Sequence, residues 1–266
     1  MTIKELVNKY ASKGYSFRNA QNLAAEEVLL TRIAASPLAN HVTLKGGIVM
    51  FNLAGSDRRV TQDIDFDFIR YSIDESSIRL FVDMLNRYSD YDISIQNNIE
   101  QLHQEDYQGV RVNLIIKDSN KDSLKIKLDI GVHTYFAIDQ ETTVFSFEGG
   151  EKSVSIKVNP SEQIFAEKLL SLARLGTLST RFKDVYDLYY LIAEGKINSK
   201  KVTSILNLFF ASSKRKPNDI YELQNSIEDT LNNNDFALEA SKPASKWIDV
   251  DYKNVAETII GFVKKL

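Results

Sequence analysis

Apolar positions recur along this chain with two periods, and the change from one to the other divides it. Leu23, Glu27, Leu30 and Ala34 fall at helical spacing, within 36 opening residues that read as helices until Ser36-Pro37 interrupts the pattern. A short strand is expected at His41-Val42-Thr43-Leu44, then Lys45-Gly46-Gly47, then an apolar helical stretch from Ile48 to Ala54. Thr61 to Ile69 alternates acid and apolar residue with period two, as a strand does. Residues 76–88 place Ile78, Phe81, Val82 and Leu85 on one side of a helix, and strands are expected at 91–97, 110–116, 124–132 and 153–158. From Asn159 onward the helical period takes over. Asn159-Pro160-Ser161-Glu162 offers a cap residue, Pro at the first helical position and Glu three residues after the cap. Ser213 to Asn218 and Asn232 to Asp235 read as loops between helices. The pattern predicts an α+β fold: a mixed α/β domain with N-terminal helices over 1–158 and a helical domain over 159–266.

Composition narrows the function classes. With 266 residues, 43% apolar and 26% charged, the chain has the profile of a soluble globular protein. It contains no run of 18 or more apolar residues, so no membrane span is expected. Met1-Thr2-Ile3-Lys4-Glu5-Leu6 carries charge where a signal peptide would be apolar, and the absence of cysteine excludes disulfides, thiolate nucleophiles and cysteine zinc sites. A cytoplasmic location is the expectation. The net charge of −3 excludes a globally basic nucleic-acid binder but leaves room for a local basic groove. Lys196, Lys200, Lys201, Lys214, Arg215 and Lys216 form one basic concentration, by default a solvated helical surface and, on a sharper reading, a phosphate-backbone contact. The three histidines show no ligand spacing.

The candidate chemistry centres on Asp63-Ile64-Asp65-Phe66-Asp67-Phe68. As a strand it sends Ile64, Phe66 and Phe68 to a core and lines the three aspartates along the other face. Parallel carboxylates repel unless a cation sits among them, and a hard divalent ion such as Mg²⁺ is the natural occupant. An EF-hand loop fits poorly, because its sixth and twelfth positions would be Phe68 and Asp74 in place of Gly and Glu. A half-exposed acidic strand is the bland alternative. Lys45-Gly46-Gly47, between strand and helix, could bring backbone N–H groups to phosphate oxygens, although it is not a P-loop.

Leu124-Lys125-Ile126-Lys127-Leu128-Asp129-Ile130 is a second alternating strand. Paired beside the first, it would make Asp129 a third carboxylate, able to ligate a metal or accept the proton of an attacking hydroxyl. Lys168 falls on the apolar face of its helix, where a lysine either snorkels outward or meets an anion such as a nucleotide phosphate. Asp184 and Asp187 share one face of a later helix that becomes apolar at Leu188 and Leu191, which suggests a buried polar cluster including Lys168. Arg181 is placed to pair with Asp184.

Taken together these segments resemble the AbiEii/AbiGii toxin family of nucleotidyltransferase-like proteins, which includes the MenT-type toxins. The resemblance runs from about Leu44 to Leu191, through Leu44-Lys45-Gly46-Gly47, Arg59-Val60-Thr61-Gln62-Asp63-Ile64-Asp65, Lys127-Leu128-Asp129-Ile130, Ala166-Glu167-Lys168-Leu169 and Arg181-Phe182-Lys183-Asp184-Val185-Tyr186-Asp187-Leu188. It implies a polymerase-β-type nucleotidyltransferase core with a mixed sheet, followed by a C-terminal helical domain that completes the active site. It also implies Mg²⁺ on Asp63 and Asp65, a nucleoside triphosphate as co-substrate, an antitoxin partner, and a role in phage defence. Transfer would be to RNA, with the tRNA 3′ end the favoured acceptor. On that reading Lys45, Gly46, Gly47, Lys168 and Asp187 serve the nucleotide. Asp63, Asp65, Asp129, Lys168 and Asp184 form the catalytic set, the first three also being metal ligands. Ile48 departs from the Ser or Thr frequent after the glycine pair in nucleotidyltransferases. A protein or small-molecule acceptor, or a non-catalytic nucleotide-binding module, are the alternatives.

Overall fold

The computed structural model describes residues 1–55, 59–102, 109–149, 153–212 and 215–266. Lys214 and the start of the expected loop at Ser213 lie outside them. The chain divides into two units, Met1–Asn159 and Pro160–Leu266. Among the described residues no helix is long and apolar enough to cross a membrane.

The first unit is built on a mixed sheet of eight strands: β1 (Val42–Lys45), β2 (Asp63–Phe68), β3 (Asp92–Ile95), β4 (Glu100–Leu102), β5 (Gly109–Lys117), β6 (Ser123–Val132), β7 (Glu141–Phe145) and β8 (Val154–Val158). The order is β3-β5-β6-β2-β1-β8-β7, with β4 on the β5 edge; β2 runs parallel to β6 and β1 to β8, and the other pairs are antiparallel. Strict alternation gives the sheet one apolar face. Leu44, Ile64, Phe66, Phe68, Val110, Val112, Leu128 and Ile130 are all essentially buried there. Helices α1 (Ile3–Ser12), α2 (Phe17–Ala35), α3 (Gly46–Ala54) and α4 (Glu75–Arg87) complete the unit. Phe81 of α4 stacks against Phe66 and Phe68, with ring centroids 5.7 and 5.2 Å apart. The 36 opening residues form two helices, separated at Gly14, whose φ of +98° no helix accommodates.

The second unit is helical: α5 (Ser161–Leu175), α6 (Phe182–Ala193), α7 (Ser199–Ser212), α8 (Ile220–Leu231), α9 (Asn234–Ala240) and α10 (Tyr252–Val263). Buried phenols tie its helices at their ends, Tyr186 donating to the Ala240 carbonyl and Tyr252 to that of Leu231, both at 2.9 Å.

Three local expectations are corrected. The capping box at Asn159 does not form: Asn159 accepts a hydrogen bond from the Thr43 hydroxyl at 3.1 Å, Pro160 is the cap position without a side-chain bond, and Glu162 accepts from the Asn198 N–H. Asp235 is helical, because Asn233 caps α9 by accepting from the Phe236 N–H. The helix expected from Ile48 begins two residues earlier, so Gly46 and Gly47 form the first turn of α3.

Candidate functional site

The polar face of the sheet carries Asp63, Asp65, Asp67 and Asp129. Lys45 stands in register with Asp65, Asp65 with Asp129, and Asp129 with Arg111, which makes one row across β1, β2, β6 and β5. The neighbouring row sets Asp63 opposite Lys127 and Asn113. Strands spaced about 4.8 Å apart hold these side chains within reach of one another.

Most of these carboxylates meet a cation. Lys45 Nζ donates to Asp67 at 2.6 Å, in a nearly buried pair. Lys127 Nζ lies 2.7 Å from Asp63, with both side chains about a third exposed. Arg111 grips Asp129 with a fork, Nε and Nη2 each 2.8 Å from one carboxylate oxygen, and this pairing pushes the guanidinium further up from its ordinary value. His133 is buried near the Lys45–Asp67 pair, and burial lowers its pKa although Asp67 opposes the shift.

The glycine pair is shaped to this face. Gly46 adopts φ +63°, and a Cβ there would stand 2.4 Å from Oδ2 of Asp65. Gly47 abuts the segment leading into β2: its Cβ would stand 2.7 Å from Thr61 Oγ1, a hydroxyl that donates to the Asp63 carbonyl. Larger residues would push the start of α3 away from the acids. The cap residue Lys45 makes no side-chain cap bond at this helix start, a kind of position that suits an anion. Ile48 is buried, which explains an apolar residue where a hydroxyl was expected.

Asp63 and Asp65 are hard oxygen donors on one face, and the Lys127 ammonium shows that Asp63 accommodates a cation. Among the described residues no group of three or more histidine or carboxylate side chains is arranged to hold an ion. Asp63 and Asp65 could at most supply one or two carboxylate ligands to a hard divalent cation, the remainder of its shell coming from substrate or water.

The second unit carries its own cluster. Lys168 of α5 is buried and donates to Asp184 and, at 2.9 Å, to Asp187 of α6; Arg181 Nε lies 3.0 Å from the second Asp184 oxygen. The buried ammonium of Lys168 thus meets two carboxylates, and the half-exposed Arg181 adds positive charge at Asp184. Asp187 is fully buried and so acts on Lys168. Sequence reading missed Arg111; its position opposite the apolar face of β5 was the signal, but only the register shows its partner.

A family model described as "Nucleotidyl transferase AbiEii toxin, Type IV TA system" matches residues 28–265. No curated protein matches the chain.

Proposed function

The chain belongs to the AbiEii family of nucleotidyl transferase toxins of type IV toxin–antitoxin systems, and from that premise we propose that it transfers a nucleotide from an NTP to RNA, with the tRNA 3′ end as the favoured acceptor. One observation carries the reading: the start of α3 presses on Asp65 so closely that Gly46 has no room for a Cβ. A phosphate seat and an acid pair are thereby held against each other. The first N–H groups of α3 would receive the triphosphate, while Asp63 and Asp65 would hold Mg²⁺. When bound, Mg²⁺ would neutralise charge on the phosphates and polarise the one under attack.

The buried apolar row Ile64, Phe66 and Phe68 fixes β2, and so keeps both acids in place. Within the second unit, Asp184 and Asp187 hold the buried Lys168 in place. Lys45 contributes by neutralising Asp67, which keeps a third acid out of the metal pair. The test is incubation with total tRNA, Mg²⁺ and each labelled NTP, with Asp65→Asn as control. Label on tRNA that disappears in the variant supports the proposal. No transfer from any NTP by folded protein refutes it, and label on protein or metabolite alone points to the other acceptors.

A further inference from the structure

We propose that Arg111 binds a phosphate of the acceptor strand, and that Asp129 positions Arg111 instead of serving as a third metal ligand; this rests on the transferase reading above. Both oxygens of Asp129 already receive guanidinium hydrogen bonds at 2.8 Å. A metal ion brought to the same carboxylate would face the Arg111 charge directly. The pair leaves part of the guanidinium working outward. Asp129 engages two of the five N–H donors, and the Arg111 side chain is 33% exposed.

Position names the ligand. Along the row Lys45–Asp65–Asp129–Arg111, the α3 phosphate seat lies on the β1 side of Asp65 and Arg111 lies two strands away on the other. In phosphoryl transfer the attacking and leaving oxygens are roughly in line. A triphosphate whose leaving pyrophosphate rests at α3 therefore takes its acceptor from the β6–β5 side. A forked guanidinium there suits a phosphodiester, the group a nucleic-acid acceptor presents and a small hydroxyl acceptor lacks. Glu100 stands in register with Arg111 on β4, exposed, and would repel the same phosphate.

The experiment separates the two halves. Binding of total tRNA is measured without NTP across a KCl series, for wild type, Arg111→Gln, Asp129→Asn and the double variant; Mn²⁺ binding is measured on the same proteins and on Asp65→Asn. Arg111→Gln is expected to weaken tRNA binding about tenfold and to lower the slope of log K against log salt by about one, as loss of one phosphate contact does. Asp129→Asn should reproduce much of that loss, the double variant should add little to it, and Mn²⁺ binding should fall only in Asp65→Asn. Glu100→Gln should tighten tRNA binding. The proposal is overturned if Asp129→Asn loses Mn²⁺ as Asp65→Asn does, or if Arg111→Gln keeps the wild-type salt slope. Should Arg111→Gln not fold, Arg111→Lys, which keeps the charge and loses the fork, carries the same comparison. Binding is read without turnover, so a wild type that transfers no nucleotide would sink the transferase reading and leave this one standing on its own data.

Discussion

Gly46 and Gly55 stand at the two ends of α3 with nearly the same backbone, φ of +63° and +61°, yet only one of them touches the acid pair. A Cβ on Gly55 would meet nothing within 4 Å, while a Cβ on Gly46 would stand 2.4 Å from Oδ2 of Asp65 and 3.2 Å from its Cβ. Left-handed backbone costs an ordinary residue roughly 1–2 kcal/mol. Gly55→Ala should therefore lose about that much stability and keep its transfer rate. Gly46→Ala carries the same strain plus an overlap about 1 Å short of ordinary van der Waals separation. The Asp65 side chain can relieve it by leaving its rotamer, at roughly 0.5–1.5 kcal/mol more. A misplacement of about 1 Å in a reacting group costs on the order of a hundredfold in rate. Paired urea denaturation curves and initial transfer rates give both numbers. If the two alanine variants lose the same stability and transfer nucleotide equally well, α3 does not press on Asp65 and the proposed union of phosphate seat and acid pair is wrong.

The remaining expectations concern buried charge. Lys168→Met removes the ammonium that both Asp187, with no exposure, and Asp184, with little, share, so stability should fall by about 3–5 kcal/mol in chemical denaturation, and a variant as stable as wild type would contradict the cluster. Lys45→Met should cost a similar amount by stranding Asp67, and Lys45→Met with Asp67→Leu should recover most of it; no recovery would mean that Lys45 has another essential task. Glu26, buried in α2, has its pKa pushed up to about 8 by desolvation. The folded chain then keeps a proton that the unfolded chain releases near the ordinary value of 4.5, so this group's contribution falls as pH rises through that window and levels off above it. Glu26→Gln should flatten the decline between about pH 5 and pH 9, and parallel stability curves for the two proteins would refute the shift.

What the sequence showed, and what it hid, follows from the range of each interaction. Alternation within Asp63–Phe68 and Leu124–Ile130 is a local property, so both strands and their acidic faces were legible. So was the Lys168–Asp184–Asp187 cluster, because helical spacing alone puts those residues on inward faces. The Arg111–Asp129 fork depends on which strand lies beside β6, and no periodicity in either segment carries that information. The cap expected at Asn159 lost to a partner 116 positions away in sequence, the Thr43 hydroxyl. Strand β7 begins Glu141-Thr142-Thr143, with no apolar alternation, and exists as an edge through its pairing with β8 alone. Glu100 to Leu102 on the β5 edge escaped detection for the same reason.

Exposure sorts the ion pairs by what they can do. A buried pair cannot trade its partner for an external ion without leaving a charge stranded in low dielectric, which costs several kcal/mol. Lys45–Asp67 and Lys168–Asp187 are of that kind, with the aspartates only 6% and 0% exposed. Their task is to hold position, and substitution should be felt first as lost stability. Lys127–Asp63 is about a third exposed on both sides, so water and ions compete for either partner and the pair is worth little in itself. Such a pair can open at small cost. A divalent cation at Asp63 would replace an ammonium of lower charge, and Lys127 would be released toward solvent beside the incoming phosphates. On the proposed reading, Lys127 would neutralise Asp63 until a divalent cation displaced it.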